Sequence, residues 1–527
     1  MKRRDLFAGS GGLAAASLSA PASAQPANAR RVTHIPQANL STIDPFWTTA
    51  YIARNHGYMV YDQLYGLDLD FKPQPQMVEG HTVENDGLLW RFTLRDGLKF
   101  HDGEPVRGVD CVASIQRWAR RDAFGQELLS RLAEFRTPSD KVFEIRLNRP
   151  FPLMLDAFAK VTTPVLFIMP ERVARTDPFT QITDPTGSGP FVFRRDEWNP
   201  GVRAAYSKNT AYVPRSSGAV SQTAGPKVVN FDRAEWHIIN DPATAAAALQ
   251  SGEIDWWEQA TADLYPLLQR NRNITVEIAD IMGLICTFRP NHLTEPFNDV
   301  RVRRAVVTAI NQMDIMTAVI GDSAEWKKDR VGFFAPASPL ASDIGLDRYK
   351  NSIDQARREL EAAGAIGKKL VLMNATDLAS INAAGLVGAD LFRRMGFDVE
   401  YVATDWGSVI NRRALKNPIN QGGWSGFFTF WSAIDHWNPA GHNALRGNAD
   451  RAWFGWPDIP EIETARDEWF DAPNLAAQQA ATRKIQQAAF DKVPYVPSGQ
   501  YFQPTAYRKS LTGVLKGPPL FWNIKRA

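Results

Sequence analysis

Cysteine is almost missing. The 527-residue chain has two, Cys111 and Cys286, so one disulfide at most could form, which cannot be the main support of a chain this size. Both are expected to be unpaired and buried. Excess charge is missing too: 60 Lys and Arg against 57 Asp and Glu leave +3, spread along the chain, which excludes nucleic-acid binding driven by counterion release. After the signal segment described below, no stretch reaches the roughly 18 consecutive apolar residues of a membrane span. Glycine (36) and proline (34) occur at ordinary frequency, which excludes collagen-like and low-complexity chains. No unit repeats at the period of a solenoid.

Catalytic signatures are equally scarce. Intact GxxxxGK[ST], GxSxG, HExxH and CxxC motifs are absent, so an enzyme would need another constellation. Ser188, between Gly187 and Gly189, reads as a turn serine because no His and acid partner can be assigned to it. The eight histidines are scattered. Only His436 and His442 lie close together, with Asp435 adjacent, and their spacing suits no common metal-ligand pattern, so they read as solvated loop histidines.

What the chain does have begins at its first residues. Lys2, Arg3 and Arg4 precede a Gly/Ala-rich apolar run from Leu6 to Ala20, and Ala22-Ser23-Ala24 supplies small side chains at cleavage spacing. This reads as a signal peptide over residues 1–24, and Arg3-Arg4 followed by Leu6-Phe7 has the look of a twin-arginine export signal. No cysteine follows the cleavage site, so a diacylated N-terminal anchor is not available. Length predicts two to four structural units. The 16 tryptophans suit small-molecule, sugar or peptide contacts, although large cores use them as well.

Local patterns predict an α/β chain. Trp90 to Arg95 alternates at period two and runs into Asp96-Gly97, which predicts a hairpin whose return strand is Leu98–Phe100, followed by a helix capped by Asp110 with Cys111, Ile115 and Trp118 on one face. Asp241-Pro242 opens a helix that Gly252 ends. Asp299 caps a helix with Val302, Ala305, Val306, Ala309, Ile310 and Met313 inward. Ser352 with Gln355 forms a capping box on a helix that Gly364 stops. Leu370–Met373, a helix around Leu386–Met395 stopped by Gly396, and Phe397–Val402 read as a βαβ unit. Such units bind ligands beyond the carboxyl ends of their strands, which puts Asn374 and Asp405 nearest to a cleft.

Several segments in this order then match one family. Trp90-Arg-Phe-Thr-Leu-Arg-Asp-Gly-Leu-Lys-Phe-His-Asp-Gly-Glu-Pro-Val106, Gly187-Ser-Gly-Pro-Phe191 leading to Trp198, Ser251-Gly-Glu-Ile-Asp255, Phe297-Asn-Asp-Val-Arg-Val-Arg-Arg-Ala305 and Gly422-Gly-Trp424 together resemble the solute-binding proteins of bacterial ABC importers, family 5, the peptide- and nickel-binding group. The likeness runs over nearly the whole mature chain. It implies an α/β, two-lobed periplasmic-binding-protein-like fold of type II with an extra subdomain in lobe I. The implied lobe I core is 30–65, 185–285 and 490–527, the extra subdomain 66–184, and lobe II 286–489, with hinge strands near Ile281–Phe288 and Phe490–Tyr501. It implies a periplasmic, monomeric receptor with no cofactor, metal or catalytic residue. Its partners would be a peptide-like or similar-sized organic solute and an inner-membrane ABC permease. The competing readings are a nickel or haem carrier using His436 and His442, and a periplasmic hydrolase with an unrecognised carboxylate pair.

The resemblance also implies a site. In peptide-binding relatives an Asp three residues after the Trp of the Gly-Trp segment pairs with the peptide's ammonium, and here that position is Phe427. Either Asp435 reaches back as the ammonium partner, or the ligand stacks on the aromatic run Trp424 to Trp431, or Phe427, Phe428 and Phe430 are core packing. The candidate ligand residues are Trp424, Asp435, Trp431 and Phe427, with Asn39 and Tyr51 flanking the Asp44-Pro45 turn.

Overall fold

The computed structural model describes residues 30–527, so the expected signal peptide lies outside the described residues. Two large mixed sheets organise the chain. The seven-stranded sheet runs Ile274–Ile278, Pro504–Arg508, Trp256–Trp257, Arg31–Ile35, Arg233–His237, Arg203–Lys208, Phe191–Phe193. The six-stranded sheet runs Lys327–Lys328, Val496–Tyr501, Leu284–Pro290, Gly426–Ser432, Lys369–Ala375, Asp398–Thr404. A four-stranded antiparallel sheet, Val78–Glu84, Leu89–Leu94, Val142–Leu147, Leu132–Ser139, is inserted before the strand Phe191–Phe193. Among the described residues the chain passes between the two large sheets at two places, through 279–283 and through Phe502-Gln503. The proline-rich C-terminal stretch is extended there, with the strands Val496–Tyr501 and Pro504–Arg508, because proline cannot donate the hydrogen bond a helix interior needs.

Most local expectations follow from cap and period chemistry. Asp241 accepts from the Thr244 amide and Gly252 closes that helix in the left-handed conformation; Asp299 accepts from the Arg301 amide, and Ser352 from Gln355. Lys369–Ala375 and Asp398–Thr404 pair in parallel across the helix Ala379–Met395, which is the βαβ unit. Its helix starts a turn and more before Leu386, and Leu386 is 53 % exposed; the inner face is Ile381, Ala384, Gly388, Phe392 and Met395. Cys111 and Cys286 are both free and buried.

Three expectations differ. Leu98–Phe100 is not the return strand of Leu89–Leu94, because both edges of that strand are filled by Val78–Glu84 and Val142–Leu147. Instead Leu98 to Val106 folds on itself, with the Phe100 amide donating to Glu104 and the Val106 amide to Leu98. Asp110 is not the N-cap of the helix Gly108–Ala119 but its third residue, reaching back to the Arg107 amide at 2.8 Å. The helix from Val300 ends at Ala309 and Ile310 is extended, so Met313 belongs to a second helix, Gln312–Ile320, capped by Asn311. An Asn placed there competes for the helix amides and wins.

Gly187-Ser188-Gly189 is explained by close backbone approach. A Cβ on Gly187 would stand 2.0 Å from the Val60 carbonyl oxygen, and one on Gly189 2.6 Å from the Val60 carbonyl carbon, so only glycine fits. The Ser188 hydroxyl accepts from the Asp62 amide and donates to the Ile168 carbonyl, which accounts for it as structure.

One buried ion pair positions the segment that reaches the junction of the sheets. Asp44, fully buried, accepts from Arg117 Nη1 at 3.1 Å and Nη2 at 2.7 Å, and also from the amides of Phe46, Trp47 and Ile182. Every lone pair of the carboxylate is engaged, which is the condition under which a buried pair is tolerated. The turn at Asp44-Pro45 is thereby tied to the helix Gly108–Ala119, and Thr48, Thr49 and Tyr51 follow it in the chain. Replacing Arg117 with Met strands the Asp44 charge, so chemical denaturation is expected to show a loss of about 3–5 kcal/mol; a loss under about 1 kcal/mol would refute this role.

Candidate functional site

Residues from both large sheets meet along a row of three chambers, with atom-free volumes of about 900, 300 and 2050 Å³ counting their open mouths. Tyr51 walls the first and second; Thr49 and Trp453 wall the second and third. The first lies where the chain crosses between sheets, so its walls include Ala279 to Met282, Gln503, Ser432 at the end of the strand Gly426–Ser432, and Arg54 from the helix Tyr51–Val60.

Beside it is a contact between the two halves, in which Tyr51 and Ser432 are wall residues and Asp435 lines none of the three chambers. The Tyr51 hydroxyl donates to Asp435 Oδ2 at 2.8 Å and accepts the Ser432 amide. Asp435 is 2 % exposed, and its Oδ1 has no partner. Burial pushes its carboxyl up to about 6, against the pull of Lys160, Thr162, Tyr51 and Arg54. An orphaned buried carboxylate oxygen is costly unless something else satisfies it. Nearby, half-buried Asp280 accepts from the Ser432 hydroxyl at 2.9 Å and the Met282 amide at 3.0 Å, and burial raises its carboxyl as well. Glu258 accepts from the Gln37 amide and Asn55. The one cation in this lining, Arg54, stacks over the Tyr51 ring at 4.3 Å and donates to Asn55. Two carboxylates, Glu258 and Asp280, beside one guanidinium in this lining favour a positively charged guest.

The other chambers have the opposite sign. The second contains a single charged side chain, Arg413. The third is lined by Arg120, Arg121, Lys416, Arg446 and Arg451 against Asp450, with Trp47, Phe179, Trp453, Phe454 and Trp456 among its aromatic walls.

Of the candidates read from sequence, Tyr51, Trp431 and Asp435 are brought together. Trp431 lines the second chamber and meets Trp453 edge-on at 4.9 Å. Trp424 and Phe427 are 0 % exposed, pack edge to face at 5.2 Å, and line none of the three chambers. Asn39 lies apart from them, accepting from the Gly201 amide at 2.7 Å. Asn374 and Asp405 are not at the cleft either. Asn374 is buried and donates to Asn382 and Tyr401, while Asp405 caps the helix Trp406–Arg412; it is that helix that carries Trp406 and Arg413 to the second chamber. His436 and His442 are buried, not solvated. Their rings stack at 4.0 Å, and burial pushes both imidazoles well below their ordinary range. No three His, Cys, Asp or Glu side chains are grouped for a metal among the described residues. Arg54, Glu258, Asp280 and Arg413 were missed in the sequence reading; only Asp280, abutting the expected hinge strand, carried a positional signal.

Residues 72–453 match the bacterial extracellular solute-binding proteins, family 5. The chain is 37 % identical, over the full length of both proteins, to a probable peptide ABC transporter periplasmic-binding protein, y4tO, of Sinorhizobium fredii. Its fold is similar to that of a dipeptide-binding protein from Pseudoalteromonas sp. SM9913 in complex with Met-Leu, with a TM-score of 0.76 at 18 % identity over 94 % of this chain and 100 % of that one. It is similar too to AgaA of A. tumefaciens R10 in complex with agropinic acid, with a TM-score of 0.76 at 20 % identity over 94 % and 99 % of the two chains. With a two-lobed α/β architecture and a matching family core, this chain belongs to family 5 of the bacterial extracellular solute-binding proteins.

Proposed function

We propose that this chain is the exported receptor of an ABC importer, which captures a peptide-like solute between its lobes and hands it, chemically unchanged, to an inner-membrane permease. The observation that carries this reading is Asp435. It comes from the six-stranded half, meets Tyr51 of the other half, and keeps one buried oxygen without a partner. A peptide's ammonium supplies the donors such an oxygen lacks. The sign change from the acidic first chamber to the arginine-bearing second suits a zwitterion laid along the row.

Lobe I is then the body of the seven-stranded sheet with its inserted four-stranded sheet, lobe II the body of the six-stranded one, and the hinge the two crossings at 279–283 and Phe502-Gln503. Ligand contacts made with both lobes exist only when they are closed, so differential affinity sets the closed fraction. The receptor works as a monomer in the periplasm, reached by a twin-arginine signal cleaved near Ala24.

Four outcomes are expected. Mass spectrometry of the molecule released on denaturing protein purified from its native export host should find an intact peptide-like solute; recovery of cleavage products, with turnover of added peptide, would favour a hydrolase. Asp435→Asn keeps the hydrogen bond from Tyr51 and should weaken that solute about thirtyfold or more in calorimetry. Because the free protein holds Asp435 near 6 and a cationic guest needs the ionised form, affinity should rise about tenfold from pH 5 to 7 and then level off, a dependence the Asn variant loses. An unchanged affinity or a flat native profile would remove Asp435 from the site. Replacing Arg3 and Arg4 together by Lys should leave uncleaved precursor in the cytoplasm on fractionation, whereas normal export would contradict a twin-arginine route.

A further inference from the structure

The row of chambers ends on both sides in contacts that cross from one half to the other. At the first chamber the turn 68–72, between the paired strands Tyr65–Leu67 and Pro73–Pro75, leans across. Phe71 in this turn stacks on Trp437 of the six-stranded half, with ring centroids 5.7 Å apart and planes 25° off parallel. Trp437 directly follows the turn Ala433–His436, and its carbonyl is held by the Ser338 hydroxyl at 2.6 Å. Leu69 and Phe71 wall the chamber from one side and Ile434 from the other.

Phe71 is strained in this position. Its φ is +59°, in the left-handed region that a bulky residue seldom occupies, and such strain persists only where the surroundings impose it. Asp68 imposes it here. One of its carboxylate oxygens accepts the amides of Asp70 and Lys72 at 2.9 Å, the other accepts the Gln74 side chain at 2.8 Å, and its carbonyl accepts the Phe71 amide at 3.1 Å. Ser221 takes the Leu69 amide. None of these bonds needs a ring at position 71, and Asn or Gly would hold the same backbone with less strain. What the ring adds is its reach to the other half.

At the third chamber the helix Ala123–Arg131 makes the corresponding contact. The Ala123 amide donates to Asn443 Oδ1 at 3.1 Å, and Gln126 Oε1 accepts from Arg446 at 2.9 Å and from Asn448 at 3.3 Å. The Arg131 guanidinium lies 5.4 Å from the Phe470 ring and 3.6 Å from Asp471, which Arg149 also approaches at 3.9 Å. Phe470 and Asp471 end the helix Pro460–Phe470. On one side of both contacts every residue comes from 66–184, the stretch expected to be an extra subdomain. On the other side every residue falls within 437–471.

Resting on the two-lobed, closing reading above but on no particular solute, we infer that the stretch 66–184 is a two-point clasp that holds the lobes together at both ends of the row, with the Phe71–Trp437 stack as its apolar point. The clasp favours the closed form whether or not a guest is present, so a guest has less of the closing to drive itself. An aromatic pair of this kind biases the closed-to-open ratio about two- to tenfold. The polar point adds less, because its Asp471 side chain is 59 % exposed and salt screens it.

Pulsed dipolar electron paramagnetic resonance on the full mature chain, stripped of solute, tests this. Spin labels go on Val202→Cys and Leu386→Cys, exposed positions in the two halves, while the native Cys111 and Cys286 stay buried and unlabelled. Phe71→Asn removes the ring and suits the left-handed backbone, so it should lower the ratio of short to long distances about fivefold without lowering Tm. Trp437→Ala should do the same from the other half, and the two together should do no more than either alone. Trp437→Ala also decides the matter if the Phe71 variant fails to fold. Distances unchanged by both substitutions, or effects that add, would overturn the clasp. Pooled tripeptides serve as a separate probe. Distances that shorten with tripeptides but ignore both substitutions would overturn the clasp and leave the receptor reading standing, whereas a clasp-dependent shift with no response to tripeptides would uphold the clasp and retire the peptide reading. One fixed distance under every condition would overturn both.

Discussion

The structure turns on how charge is handled where its two halves touch. Tyr51 hands a hydrogen bond to Asp435 across that junction and receives one from the Ser432 amide, and this small exchange aligns the helix Tyr51–Val60 with the end of the strand Gly426–Ser432. Neither half could satisfy the carboxylate alone. The second oxygen of Asp435 is left over, in a place where water has little access, and a buried acceptor of this kind is costly until a donor reaches it.

The surrounding scaffold serves to hold those groups still. Asp44 and Arg117 fix the turn that delivers Thr48 to Tyr51, and their pairing is complete enough to behave as structure. Arg289 gathers the carbonyls of the loop that carries Trp453 and pins it to the strand Leu284–Pro290. Set against these engaged groups, Asp435 Oδ1, Arg413 Nε and Arg466 Nη2 are buried without partners.

Much of this was legible in the residues, and the limits have physical reasons. Helix boundaries followed from Asp241, Asp299, Ser352, Gly252 and Gly396 because capping is local chemistry. The strand Leu89–Leu94 was recognisable from its period of two, but its partners were not, since strand pairing depends on residues far away in sequence and a turn dipeptide such as Asp96-Gly97 does not specify what it joins. Tyr51, Trp431 and Asp435 were named from resemblance and do converge. Trp424 and Phe427 were named on the same grounds and lie in the core, because an aromatic run reads identically whether it faces a ligand or a neighbouring helix. Arg413 gave no signal. An arginine's importance lies in the partners it lacks, and only coordinates reveal a missing partner.

The central claim is that the two halves close on a guest bound through these charges and release it unaltered. Small-angle scattering of the mature protein, stripped of its solute and then reloaded with the molecule that co-purifies, tests this most directly. The account predicts a smaller radius of gyration on loading, reversed when the same intact molecule is dialysed away. Superimposable curves for the stripped and loaded protein would contradict it.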